Sequence, residues 1–105
     1  MAHLLQRIRN ICERPRMFAP HFSLEHLLLF IHGYEAALKD AGLPSQHAPF
    51  EEWLHGQNPA WRESSMWWGK HLLEQCGGDL EHTLLELTLL MNQFLASTRT
   101  PPPAT

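Results

Sequence analysis

The sequence predicts an all-α fold, a compact bundle of four principal helices plus one short helix. Apolar residues recur at three- and four-residue spacing along most of the chain, and Ser, Asp, Gly and Pro fall where those stripes start or stop. No stretch alternates apolar and polar residues as a half-buried strand would. The apolar fraction of 44% and charged fraction of 18% suit a packed domain rather than a charge-rich disordered chain. With 105 residues there is room for one core and not for two. Residues 1–97 are therefore expected to form a single helical domain, and residues 98–105 a flexible proline-rich tail.

Leu4, Leu5, Ile8, Ile11 and Cys12 share one helical stripe, which should end near Arg14 because Pro15 disfavours helical geometry in the residue before it. Two prolines, Pro15 and Pro20, then imply an ordered loop that is not helical. Ser23 is placed to cap a second helix carrying Leu24, Leu27, Leu28, Ile31, Tyr34 and Leu38, with Gly42 as its C′ residue. Gly33 inside that helix costs roughly 1 kcal/mol relative to Ala, which a close approach of another element would explain.

A turn-rich linker over 43–49 precedes Phe50, Trp53 and Leu54, a short helix of one or two turns. Asn58-Pro59 has the chemistry of a helix start, and Ser64 or Ser65 are alternative starts for the helix read over Met66–Cys76. Gly77-Gly78 ends it. Asp79 then caps the last helix, with Leu80, Leu84, Leu87, Met91, Phe94 and Leu95 on its inner stripe.

The net charge of −3 is unevenly spread: Arg7, Arg9, Arg14 and Arg16 against Glu13 leave the first 18 residues at +3 and the remainder at −6. Affinity for nucleic acid rests on neutralising phosphates, so an acidic body argues against a nucleic-acid partner and for internal pairing of those arginines with carboxylates such as Glu35 or Glu86. Cys12 and Cys76 form no C-x-x-C motif and read as reduced, buried thiols of a cytoplasmic protein. The longest apolar run, Leu27 to Ile31, is far short of the roughly 20 residues that span a bilayer, so no membrane partner is expected.

Eight histidines invite a metal or acid–base reading, yet His21, His26 and His32 lie five and six apart and no pair has the i, i+4 spacing of H-E-x-x-H. A tertiary cluster of His26 or His32 with His71 and Cys76 is the form a metal site would take. There is no nucleophile elbow and no phosphate loop, so neither catalytic residues nor cofactors are expected and the chain reads as non-enzymatic. Trp53 and Trp68 fall on apolar stripes. Trp61 and Trp67 do not, and Trp is enriched at binding hot spots. With Glu51, Glu52 and Glu63 they define the expected partner-binding surface, an acidic, Trp-bearing segment suited to a basic protein.

In order, the chain presents Arg14-Pro15-x-Met17-Phe18, Gly33-Tyr34, Phe50-x-x-Trp53-Leu54, Trp67-Trp68, Gly78-Asp79 and Gln93-Phe94-Leu95. This set resembles a group of small bacterial helical proteins with R-P-x-M-aromatic, G-Y and F-x-x-W elements, some of them similar to the immunity proteins of toxin systems. The resemblance spans roughly residues 4–95, with Phe18 where Tyr is often found. It implies a protein-binding domain that neutralises a cognate toxin by direct contact, with Met17 and Phe18 plugging one end of the bundle. The alternatives are a self-associating adaptor, a homodimer through Leu85 and Leu89, and a metal-binding protein using scattered histidines.

Overall fold

A computed structural model describes residues 3–99, of which Arg99 is described in its backbone alone. Among the described residues the chain is all-helical with no strand. Seven helices follow one another: α1 (His3–Glu13), α2 (Pro15–Phe18), α3 (Leu24–Asp40), α4 (His47–Gln57), α5 (Pro59–Arg62), α6 (Trp68–Gln75) and α7 (Leu80–Arg99). The expected count of four principal helices and one short helix is thus corrected to seven: those read as principal map onto α1, α3, α6 and α7, but the one read as short, α4, has 11 residues against 8 in α6. Three differences are physical. Pro15 sits at the first position of a helical turn, where its missing N–H costs nothing, so the expected non-helical loop contains α2. Residues 50–54 belong to an eleven-residue helix that starts at His47. Pro59 opens a separate single turn, α5, and the helix expected from Met66 starts at Trp68.

Both glycine terminators work as read. At the end of α3 the Leu43 N–H donates to the Leu38 carbonyl and the Gly42 N–H to that of Lys39, with Gly42 at φ 73°. At the end of α6 the Gly78 N–H donates to the Leu73 carbonyl and the Gly77 N–H to that of Glu74. These paired bonds are Schellman motifs, and each satisfies two carbonyls that the helix leaves without partners. Asp79 caps α7 through its Oδ1, which accepts the His82 N–H at 3.1 Å. Ser23 precedes α3, its own N–H donating to Nδ1 of His26 at 3.0 Å. Gly33 departs from expectation: nothing approaches it within 4 Å.

The long helix α7 packs against α1, α4 and α6, while α3 packs on α1. Leu4, Leu5 and Ile8 of α1, Leu27 and Ile31 of α3, Phe50 and Leu54 of α4, Trp68 and Leu72 of α6, and Leu87 and Met91 of α7 form one buried core. Phe50 joins three helices through its ring, edge-on to Trp68 (5.6 Å) and to Phe94 (5.4 Å) and stacked on Trp53 (6.2 Å). Met17 and Phe18 do not plug the bundle. Met17 is 78% exposed, and Phe18 packs edge-on against Phe22 and Phe30 at the surface. No helix among the described residues is long and apolar enough to cross a membrane. The last helix runs two residues past the expected boundary at 97, and from Thr100 the proline-rich tail lies outside the described residues.

The junction between α3 and α4 carries the densest polar network. Glu35 of α3 accepts hydrogen bonds from the backbone N–H groups of Gln46 (3.0 Å) and His47 (3.3 Å) and from the Ser45 hydroxyl. The Ser45 oxygen in turn accepts the Ala48 N–H at 2.9 Å. Pro49 has no N–H, so every donor in the first turn of α4 is accounted for. The Gln46 side chain reaches α1, its Oε1 accepting the Leu4 N–H at 2.7 Å. Nε2 of His47 accepts the indole N–H of Trp68 at 2.9 Å. Glu35 is thus engaged as a cap and not with an arginine. Arg7, Arg14 and Arg16 are exposed, and none forms an ion pair among the described residues.

Burial lowers the pKa of His47, against the opposing pull of Glu51 and Glu35, with His32 adding to the depression. Protonated Nε2 would also face the Trp68 donor instead of accepting from it. A depressed histidine pKa means that the unfolded chain binds more protons, so this contribution is full above the unfolded value of about 6.5 and declines as pH falls through the folded one. For Glu35, burial raises the pKa, but the Ser45 hydroxyl, the Gln46 and His47 N–H groups and the His47 charge together bring it below its ordinary value. Its contribution is full above the ordinary carboxylate range and is lost as pH falls through the depressed value. Urea midpoints measured from pH 7.5 to pH 5 should fall, and less steeply in His47→Gln, which keeps an acceptor without the titration. Equal slopes would refute the role of His47.

Candidate functional site

The five residues expected to face a partner are distributed over α4, α5 and the turn that leads into α6, and burial divides them. Glu52 is 65% exposed at its side chain and pairs with Arg62 of α5 at 2.6 Å. Glu63, next in sequence to Arg62, is also exposed. Glu51 is half-buried and turned towards His47, whose charge it favours. Neighbouring helical residues point about 100° apart, so Glu51 and Glu52 face different directions.

Trp61 is corrected from an exposed anchor to a core residue. It is 8% exposed and its ring stacks on His71 with centroids 5.2 Å apart and planes 6° from parallel. The sequence hid this because α5 is one turn long, and a single turn has no recurring stripe to read. Trp67 is half-buried just before α6, tilted against Trp68 at 4.9 Å. Its ring lies over Gly69, where an added Cβ would come within 2.4 Å of the indole. A glycine at this position is therefore what lets the ring lie down against the helix. Its indole N–H is buried without a hydrogen-bond partner among the described residues, as is Nε2 of His71. Trp53, expected in the core, is half-buried, stacked on Phe50 and edge-on to Phe94.

Of the two indoles weighed as a partner-binding anchor, Trp61 is in the core and Trp67 is half-buried, and of the carboxylates Glu52 and Glu63 are exposed. Among the described residues no three His, Cys, Asp or Glu side chains are placed to hold a metal ion. The cluster of His26 or His32 with His71 and Cys76 does not form: His26 is stacked on Phe22 and bonded to Ser23, and His71 lies under Trp61. Burial pushes the Cys12 thiol up to about 11, aided by Glu13 and opposed by a hydrogen bond with Thr88, which leaves it protonated and unreactive at neutral pH.

Truncation should separate the two kinds of residue. Trp61→Ala should cost about 3–5 kcal/mol of stability, as large aromatic deletions in cores do. Glu52→Lys and Glu63→Lys should each stay within about 1 kcal/mol of the parent. Urea denaturation at constant slope measures both, and a small loss for Trp61→Ala would return that ring to the surface. Comparison with protein-family models, with curated proteins and with solved structures gave no match to this chain.

Proposed function

We propose that this chain is a non-enzymatic protein-binding domain of the immunity type, which neutralises a cognate bacterial toxin by covering its active or substrate-binding surface. The observation that carries the reading is the exposure of two carboxylates, Glu52 on α4, paired with Arg62, and Glu63 at the end of α5, with the half-buried Trp67 four residues further on. A domain of this size can supply the roughly 800 Å² that one side of a standard interface needs. The acidic field would steer a basic partner and speed encounter, as complementary charges do at other interfaces. The site is Glu52 and Glu63 with Trp67, and Glu51 contributes at its margin. Trp61 supports it from beneath.

The test is titration of a toxin domain encoded beside this chain with the parent and with the Glu52→Lys, Glu63→Lys double variant. The variant should remain folded, bind at least about tenfold more weakly, and lose the salt dependence of its association rate. Unchanged affinity would move the contact surface elsewhere.

A second reading has an observation of its own. Leu85 and Leu89 lie one turn apart on the outer face of α7 and are 61% and 48% exposed, a geometry suited to self-association in a homodimer. Sedimentation equilibrium should then detect a dimer that Leu85→Glu with Leu89→Glu dissociates. A strictly monomeric parent would exclude it.

A further inference from the structure

At one end of the bundle the beginning of α1, the connection from α3 to α4 and the end of α7 surround an open groove of about 740 Å³. It is on the scale of small-molecule sites, roughly 300–1,000 Å³, which combine an apolar lining with a few polar groups. Its apolar lining comes from Phe94 and Leu95 of α7, Leu43 and Pro44 of the connection and Pro49 in the first turn of α4. Leu43 is 55% exposed. Ser45, Gln46 and Thr98 add neutral polar groups to its lining, while His3, Gln6 and Arg9 lie along one side of α1 at three-residue intervals and bring the one guanidinium among the described lining residues. Arg9 is half-buried and forms no ion pair among the described residues. Among the described residues no carboxylate lines the groove, and Glu35 is bound to Ser45, Gln46 and His47.

We infer that this groove binds a hydrophobic monoanion of fatty-acid size, its carboxylate on Arg9 and its alkyl chain along Leu43, Pro49 and Phe94. An apolar trough with an unpaired guanidinium at its rim and no competing acid is complementary to a molecule with one anionic head and one apolar body. A cationic amphiphile would place its charge against Arg9, and a wholly neutral chain would leave that guanidinium unpaired. This site shares no residue with Glu52, Glu63 and Trp67, so it stands or falls independently of the toxin-binding reading.

Dodecanoate, titrated into the intact chain by calorimetry, is the probe. One-to-one saturation with a midpoint below about 1 mM is expected. Arg9→Gln should weaken binding about tenfold or more, Leu43→Glu should abolish it, and Arg16→Gln, an exposed arginine outside the groove, should leave it unchanged. Circular dichroism and urea midpoints verify that each variant is folded, which surface substitutions at Arg9 and Leu43 should permit. Dodecanol should bind at least about tenfold more weakly than dodecanoate. The inference is overturned by absence of saturable binding, by equal affinity for dodecanol or dodecylamine, or by indifference to both groove variants. It is equally overturned if sedimentation shows a dimer that Leu43→Glu dissociates, or if binding requires removal of residues 100–105, since the occupant would then be a second copy or the chain's own terminus.

Discussion

Helix α4 begins without a capping side chain of its own, and a carboxylate from α3 supplies what its first turn lacks. Glu35 takes two backbone donors and the Ser45 hydroxyl, Ser45 takes a third backbone donor, and Pro49 presents none. A helix start leaves its first N–H groups without intrahelical partners, and these partly exposed bonds satisfy them and tie the start of α4 to α3. Two further helices are tied to the same few residues. Gln46 caps the beginning of α1 and His47 receives the indole N–H of Trp68 in α6. Four of the seven helices therefore meet at a junction of polar groups between residues 35 and 47.

Everything apolar in the centre follows from that placement. With α4 fixed, Phe50 sits where it touches Trp68, Phe94 and Trp53, and α7 closes over α1, α4 and α6. The aromatic load of the chain is thus spent largely inside, with Trp68 and Trp61 buried and Trp53 and Trp67 half-covered. What remains outside is charge and aliphatic surface: the Glu52–Arg62 pair and Glu63, the Leu85–Leu89 pair, and the groove beside Arg9. These surfaces share α4 and α7 but no residue, so one small scaffold presents chemically distinct patches.

The basic N-terminal region has a corresponding surface. Arg14 precedes α2 and Arg16 lies within it, both exposed, Met17 projects into solvent, and Phe18 packs edge-on against Phe22 and Phe30, the latter in turn against Tyr34. Pro15 makes the turn possible by fixing its own backbone and removing a donor that would have no acceptor. The Arg-Pro-x-Met-Phe element therefore shapes a protrusion next to α1 rather than filling the end of the bundle.

Helical periodicity, the Ser, Asp and Gly end signals and the absence of alternation determined by themselves that this chain is all-α, and the ends of α3, α6 and α7 could be read to within a residue or two. Those signals are local: a stripe needs several turns, and a Schellman glycine needs only its own helix. Tertiary structure decided the rest. The start of α4 is set by Glu35, which is eleven residues from Gln46 in sequence and adjacent only after folding. Trp61 was misread because a one-turn helix carries no period, and its burial comes from stacking on His71 ten residues away. The groove at Arg9 was illegible for the same reason: its walls come from α1, the α3–α4 connection and α7, and charge complementarity among them exists only once the chain has brought them together.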